Sequence, residues 1–411
     1  MTPAPIRYLT KTITLLPILI CRQLSKLVPR DPSRIAIGAW FGNFYSDNPK
    51  YFCNYLLEHT SLNITWIGKE DIRSQLPDNP NLHFARKGSW AAILSLLRAK
   101  TWICCIGHNA DLSSWPIDGG ATCINLWHGI AGKKSDHNTV WDRNSKLGRG
   151  LRGELERLYA RIISGESEWL SVSYPELGEM LILGNPTMFC KTKILPFGMP
   201  RNDFLINNLR NAKLIEALKE KYAKLLGFDP RKKIVGYLPT WRGASGEIFC
   251  FYNMEKKYQE NFQALFSAND AILIEKHHVH TYELFPLTTK TDFSLSINAT
   301  TLPLVDTQEL LLITDILITD YSSVFVDFGL LKRPIIHFAY DLDNFEKESA
   351  GAAYNFTEIA GGPIVKDIEN LMSALSAQLI HPSFAPAVGH LKLTANETGN
   401  ACQQILSFIE K

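Results

Sequence analysis

The stretch "DILITDYSSVFVDFGLLKRPIIHFAYDLD", Asp315 to Asp343, joins an oily strand to an oily helix through an acid, a tyrosine and two serines. Ile316, Leu317 and Ile318 form the short apolar run of a strand covered on both faces, as in a parallel sheet. Asp320, Tyr321, Ser322 and Ser323 stand where the strand hands over to a helix, and Val324, Phe325, Phe328 and Leu331 follow at helical spacing. One reading is a plain N-cap, in which Ser or Asp side chains accept from the orphan amides of the first turn. The other is an anion site, because a helix start carries partial positive charge. Taken alone, the segment leaves both open.

Outward from it, the chain alternates short apolar runs with longer helical stretches. In the first half "RIAIGAW", "NITWIG", "TWICCIG" and "TCINLWHG" are strand-like, while "NPKYFCNYLLEH" and "AAILSLLRA" have helical spacing. A second series begins near Arg231, with "KKIVGYLPTW", "AILIEKHHVH", "LPLVDT", "DILITD" and "RPIIHFAY" as strand candidates. The charged "LRNAKLIEALKEKYAKLLG" between the series reads as a helix that ends at Gly227, a good C-cap residue. This alternation predicts parallel sheets wrapped by helices, and two such halves would bind ligands at the carboxyl ends of their strands.

The composition fits that picture. With 411 residues, 45% apolar and 20% charged, the chain has material for two cores. A net charge of +2 gives no argument for nucleic-acid binding, and none is expected. The basic residues are uneven: Arg7, Lys11, Arg22, Lys26 and Arg30 all fall in the opening thirty residues. There the apolar run Ile13–Cys21 is broken by Pro17, is too short to span a bilayer and has no small-residue cleavage site after it. The segment reads either as an interfacial amphipathic helix or as a first helix packed on the body. The eight cysteines show no C-x-x-C pair and mostly lie in apolar context, as buried thiols do in a reducing cytoplasm.

Polar residues gather at the predicted strand exits. "NLWHGIAGKK" puts His128 just after a strand, with glycines beside it and Lys133 and Lys134 following. A histidine there can serve as general base and the lysines can hold an anion; equally, His128 can cap the turn over solvated lysines. "YLPTWRG" offers Thr240 and the planar fork of Arg242 to a phosphate. In "EKHHVH", His278 and His280 share one strand face and His277 takes the other. Zinc comes to mind, but no cysteine or acid stands at fixed spacing, so His278 is read as a phosphate donor and no metal ligand is assigned. Asp47, in Ser46-Asp47-Asn48-Pro49, suits either a helix start or acceptance of a proton from an incoming hydroxyl.

Together "SDNP", "NLWHG…KK", "GMPRND", "YLPTWRG", "EKHH" and "DILITDYSSVFVDFGLLKRPIIHFAYDLD" resemble, in order, the CDP-glycerol glycerophosphotransferase family of teichoic-acid and capsule biosynthesis. The resemblance implies an α/β GT-B fold, two Rossmann-like doubly wound domains facing a central cleft. It divides the chain into a membrane-association segment (1–30), an acceptor domain (31–205), a CDP-glycerol-binding domain (206–385) and a C-terminal segment (386–411) crossing back to the first domain. It also implies transfer of glycerol phosphate from CDP-glycerol to a lipid-linked acceptor with release of CMP. In such a reaction His128 or Asp47 acts as base, while Arg242, Thr240, His278, Asp320, Tyr321, Ser322 and Ser323 hold the donor. Lys133, Lys134 and Asn48 lie on the acceptor side.

The same likeness implies a cytoplasmic enzyme, peripheral on the inner face of an anionic membrane. No acidic cluster of the DxD type is read as a metal site, so no obligatory metal is expected, and a divalent cation could still stimulate. The chain departs from the family's pattern at Ile130, Ala131 and Gly132, where relatives read "WHGTPLKK", and at Val279, where proline is usual. CDP-ribitol as donor, a nucleotide-sugar glycosyltransferase, and a non-catalytic scaffold of the same fold are the alternatives.

Overall fold

Short β-branched runs buried on both faces pair most readily with parallel neighbours, and the computed structural model has two parallel sheets built from such runs. It describes residues 16–129, 169–184, 192–240, 249–251, 254–277, 296–300, 305–342 and 355–411. Two compact units result: residues 1–128, 135–203 and 396–411, and residues 129–134 and 204–395.

The first unit carries β1 (Asp31–Ile37), β2 (Asn63–Gly68), β3 (Leu82–Arg86), β4 (Ala99–Cys104), β5 (Thr122–Asn125), β6 (Trp169–Ser171) and β7 (Lys193–Leu195), in spatial order β3-β2-β1-β4-β5-β6-β7. Alternation along the strands splits the core in two. Ile35, Ile37, Trp66 and Ile103 face one side with Phe52 and Leu56 of the helix Asp47–His59 and Ile405 of the helix Ala401–Ile409. Ala36, Ile67 and Trp102 face the other side with Ala92 and Leu96 of the helix Trp90–Arg98. The closing helix is fastened by two acids. The Asp203 carboxylate accepts from the amides of Ala401 and Cys402 at 3.0 and 2.8 Å, and Glu397 accepts from the Met199 amide and the Ser173 hydroxyl.

The second unit carries β8 (Lys233–Tyr237), β9 (Ala271–Glu275), β10 (Ser296–Asn298), β11 (Ile316–Thr319), β12 (Ile335–Phe338) and β13 (Ile364–Val365), in order β10-β9-β8-β11-β12-β13. Val235, Tyr237, Leu273, Ile316, Ile318 and Ile336 pack against Phe262 and Phe266 of the helix Lys256–Ala268 and Leu371 and Leu375 of the helix Ile368–Ile380. Counted from its own first strand, each sheet runs 3-2-1-4-5-6, with a seventh strand at the end of the first sheet, the doubly wound order whose direction reverses between the first and fourth strands. Those reversals lie between β1 and β4 and between β8 and β11.

One expected strand is corrected over its described part; residues 302–304 of "LPLVDT" lie outside the described residues. Val305–Thr307 of "LPLVDT" belong to a helix start, in which the Asp306 side chain accepts from Gln308 and Glu309 and caps Thr307–Ile313. The strand beside β9 is Ser296–Asn298 instead. The helix between the two series spans Ala212–Leu226 and ends where expected, with Gly227 left-handed at φ 79°. Residues 16–25 are helical, and that helix docks one face: Arg22 pairs with Asp118 at 2.7 Å and Ser25 accepts from the Gly119 amide. Arg30 is not part of a lipid-facing charge, since its guanidinium donates to the carbonyls of Leu96, Ala99, Ile117 and Gly119. Leu16, Leu19, Ile20, Leu24 and Leu27 remain exposed.

Candidate active site

In the first unit the exits of β1, β4 and β5 are stitched into one cluster. Behind it lies Asp111, wholly buried, whose carboxylate accepts from the amides of Phe41, Cys105 and Ile106 at 2.8–2.9 Å and so bridges the β1–β4 reversal. Burial pushes its carboxyl above the usual range despite those amides. In front, His128 Nδ1 lies 2.9 Å from the Cys105 carbonyl. A carbonyl only accepts, so Nδ1 carries the proton and Nε2 keeps its lone pair. The ring sits between two indoles, 5.4 Å from Trp40 edge-on and 4.3 Å from Trp127. Burial among them lowers the His128 pKa, against the pull of the Cys105 carbonyl and Asp47. The imidazole is therefore neutral at neutral pH.

Asp47 stands beside it, fully engaged. Its Oδ1 accepts from Arg201 Nη1 at 2.8 Å and from the Asn48 amide at 2.8 Å, and its Oδ2 accepts from the Trp40 indole at 3.0 Å. The same Arg201 nitrogen donates to the His128 carbonyl at 2.8 Å. Asn48 is buried: it donates to the carbonyls of Leu126 and Trp127 and accepts from the Arg201 amide. Asp47 is the first residue of its helix, and Ser46, the N-cap, makes no side-chain cap. Strain gathers here. Of the six non-glycine residues with positive φ among those described, Trp40, Phe41, Asp47 and Trp127 belong to this cluster.

In the second unit, Thr240 and Asp320 meet across the β8–β11 reversal. Asp320 Oδ1 accepts from the Thr240 amide and hydroxyl at 2.8 and 2.7 Å and from the Ser322 amide at 3.1 Å. The Asp320 carbonyl accepts from His337 Nδ1, whose Nε2 accepts from the Gly361 amide. Asp320 is wholly buried, and Tyr321 is nearly so, with its hydroxyl donating to Asp341. Of the "DYSS" quartet only Ser322 and Ser323 are partly exposed. Ser323 is the N-cap of Val324–Gly329, yet its side chain makes no cap bond.

The predicted site residues thus separate clearly. His128, Asp47 and Asn48 come together in the first unit, and Thr240, Asp320, Tyr321, Ser322 and Ser323 in the second. Lys133, Lys134, Arg242 and His278 lie outside the described residues, as do Ile130, Ala131, Gly132 and Val279. Sequence reasoning did not single out Arg201, Asp111 or Trp40. For Arg201 a signal existed, in the "GMPRND" motif.

Two parallel doubly wound sheets, each with its polar cluster at the reversal of strand order, define an α/β enzyme of the GT-B type. The chain belongs to the CDP-Glycerol:Poly(glycerophosphate) glycerophosphotransferase family, which it matches over residues 21–410. A teichoic acid poly(glycerol phosphate) polymerase of Bacillus spizizenii is 31% identical over 361 residues, covering 85% of this chain and 84% of that protein. A teichoic acid glycerol-phosphate transferase of Staphylococcus aureus is 29% identical over 398 residues, 94% and 95% of the two chains. The solved wall teichoic acid polymerase TagF superposes with a TM-score of 0.70 over 98% of this chain and 97% of that one. At 22% identity the likeness speaks to fold.

Proposed function

We propose that this chain transfers glycerol phosphate from CDP-glycerol to a hydroxyl of a lipid-linked glycan or glycerol-phosphate acceptor, releasing CMP. His128 Nε2 takes the acceptor proton as the acceptor oxygen bonds to the glycerol-side phosphorus. The bond from that phosphorus to the CMP oxygen breaks, and CMP leaves with the electron pair. Protein catalysis of phosphoryl transfer is chiefly positioning and charge stabilisation. Asp47 acts through others: with both oxygens engaged, it orients Arg201 and Trp40 around His128 rather than accepting the proton itself.

The second unit is assigned the donor. There Ser322 and Ser323, partly exposed at the β11 exit, offer hydroxyls to the diphosphate, while Thr240, Asp320 and Tyr321 brace the turn. Arg242 and His278 complete the donor set, and Lys133 and Lys134 the acceptor side, on the strength of the family motif. No obligatory metal is assigned to the transfer step.

The observation that carries the reading is the His128–Cys105 contact, which fixes the tautomer a base requires. It is tested by separating chemistry from binding. His128→Gln should bind CDP-glycerol as the wild type does and release CMP about 100-fold or more slowly. Unchanged turnover would remove His128 from the reaction.

We also place the enzyme peripherally on an anionic membrane surface. The exposed apolar side of residues 16–27 supports this, and no helix among the described residues is long and apolar enough to cross a membrane.

A further inference from the structure

The zinc reading lacked partners in sequence, but space supplies them. Cys250, in the short segment Phe249–Phe251, and Glu275 and His277, at the exit of β9, bring a thiol, a carboxylate and an imidazole to one point. Their ligand atoms all lie within 4.8 Å of one another. All three residues are buried, Glu275 completely.

The contacts are long for a hydrogen-bonded triad, and His277 and Glu275 also stand at ion-pair distance. His277 Nε2 lies 3.4 Å from Glu275 Oε2 and 3.7 Å from Cys250 Sγ. One ring nitrogen has one proton to give, and 3.4 Å is the far end of hydrogen-bonding range. A tetrahedral divalent ion bound at zinc-like bond lengths would instead hold nitrogen and oxygen about 3.4 Å apart, and nitrogen and sulfur about 3.6 Å apart.

Charge points the same way. Metal binding releases the thiol proton, so Cys250 and Glu275 together can balance a dication inside an apolar shell. That shell is aromatic: Tyr237 packs edge-on against the His277 ring at 5.6 Å and against Phe251 at 5.2 Å. Two hydrogen bonds hold the segments in place, the Phe251 amide donating to Glu275 Oε2 and the His277 amide to the Thr300 hydroxyl.

We propose that Cys250, Glu275 and His277 form a binding site for a thiophilic divalent ion of the zinc class, with one coordination position left for a further ligand. Thiolate with imidazole selects zinc or cobalt over magnesium and calcium. The ion pins the Phe249–Phe251 segment to the end of β9, immediately before His278 in sequence, and so has a structural role. This stands apart from the transferase reading, since neither requires the other.

The untagged full-length protein, purified without chelator, should carry about one zinc per chain by mass spectrometry of the metal. Replacing zinc by Co2+ should give the near-ultraviolet thiolate-to-cobalt band and the visible bands of a four-coordinate ion. Cys250→Ser should abolish the thiolate band, and Glu275→Gln and His277→Gln should each weaken metal binding at least about 100-fold. Folded wild-type protein without stoichiometric metal and without the cobalt band would overturn the proposal, whatever the stability of the variants. So would zinc fully retained in all three.

Discussion

His128 shows how much one carbonyl decides. By accepting from Nδ1, Cys105 leaves Nε2 as the basic end, and packing between Trp40 and Trp127 keeps the ring neutral. Because burial lowers its pKa, the ring is neutral above a value below the ordinary 6.5 of histidine and charges as pH falls through it, so as the proposed base it is lost there. The acid limb of kcat/KM should therefore lie below pH 6.5, and a limb above 6.5 would contradict the assignment.

A second histidine makes a separate prediction about stability. Burial holds His337 down at about 4. Below the ordinary value the unfolded chain binds this proton and the folded chain does not. Its contribution is thus complete above about pH 6.5 and lost as pH falls toward 4, up to about 3 kcal/mol. Urea midpoints between pH 7 and 4.5 should fall more steeply for wild type than for His337→Asn, and parallel slopes would refute this. Sequence nominated His128 but not His337, because a tautomer or a depressed pKa depends on which carbonyl folds beside the ring.

Elements were legible where their signals were local. Strands β1, β4, β8, β9, β11 and β12 announced themselves as short apolar runs, and Gly227 as a C-cap. Its φ of 79° favours glycine and nothing lies within 4 Å of an added methyl group. Gly227→Ala should therefore cost about 1 kcal/mol through backbone strain alone, seen as a lower urea midpoint with unchanged turnover. The end of "LPLVDT" misled because so short a run cannot separate strand from helix, and the deciding fact was Asp306 capping the amides that follow it.

The opening helix packs on the body by one face, and its interfacial reading rests on the other. Arg22 and Ser25 dock it, while Leu19, Ile20 and Leu24 face outward. Replacing those three by Gln should reduce flotation with anionic liposomes and leave solution CMP release unchanged. Equal flotation of the triple variant would reject this face as the anchor.

At the scale of the molecule, the pattern of apolar runs carried the fold class, since twofold-covered parallel strands leave few other architectures. The candidate site was legible less evenly. Motifs at strand exits named His128, Asp47 and the "DYSS" turn, but not that Asp47 has both oxygens occupied or that Asp320 and Tyr321 turn inward. Such facts arise from pairings across the strand-order reversals, between residues some 80 positions apart such as Thr240 and Asp320. Arg201 and Cys250 escaped for the same reason: their partners, Asp47 and the Glu275–His277 pair, are near only in space.

The most direct test of the account is release of CMP from CDP-glycerol in the presence of a lipid-linked glycerol-phosphate acceptor, with CDP-ribitol and a nucleotide sugar run in parallel. The account predicts CMP from CDP-glycerol, an acceptor heavier by glycerol-phosphate units, and loss of both with His128→Gln. Turnover of the nucleotide sugar instead, or undiminished CMP release by the His128 variant, would contradict it.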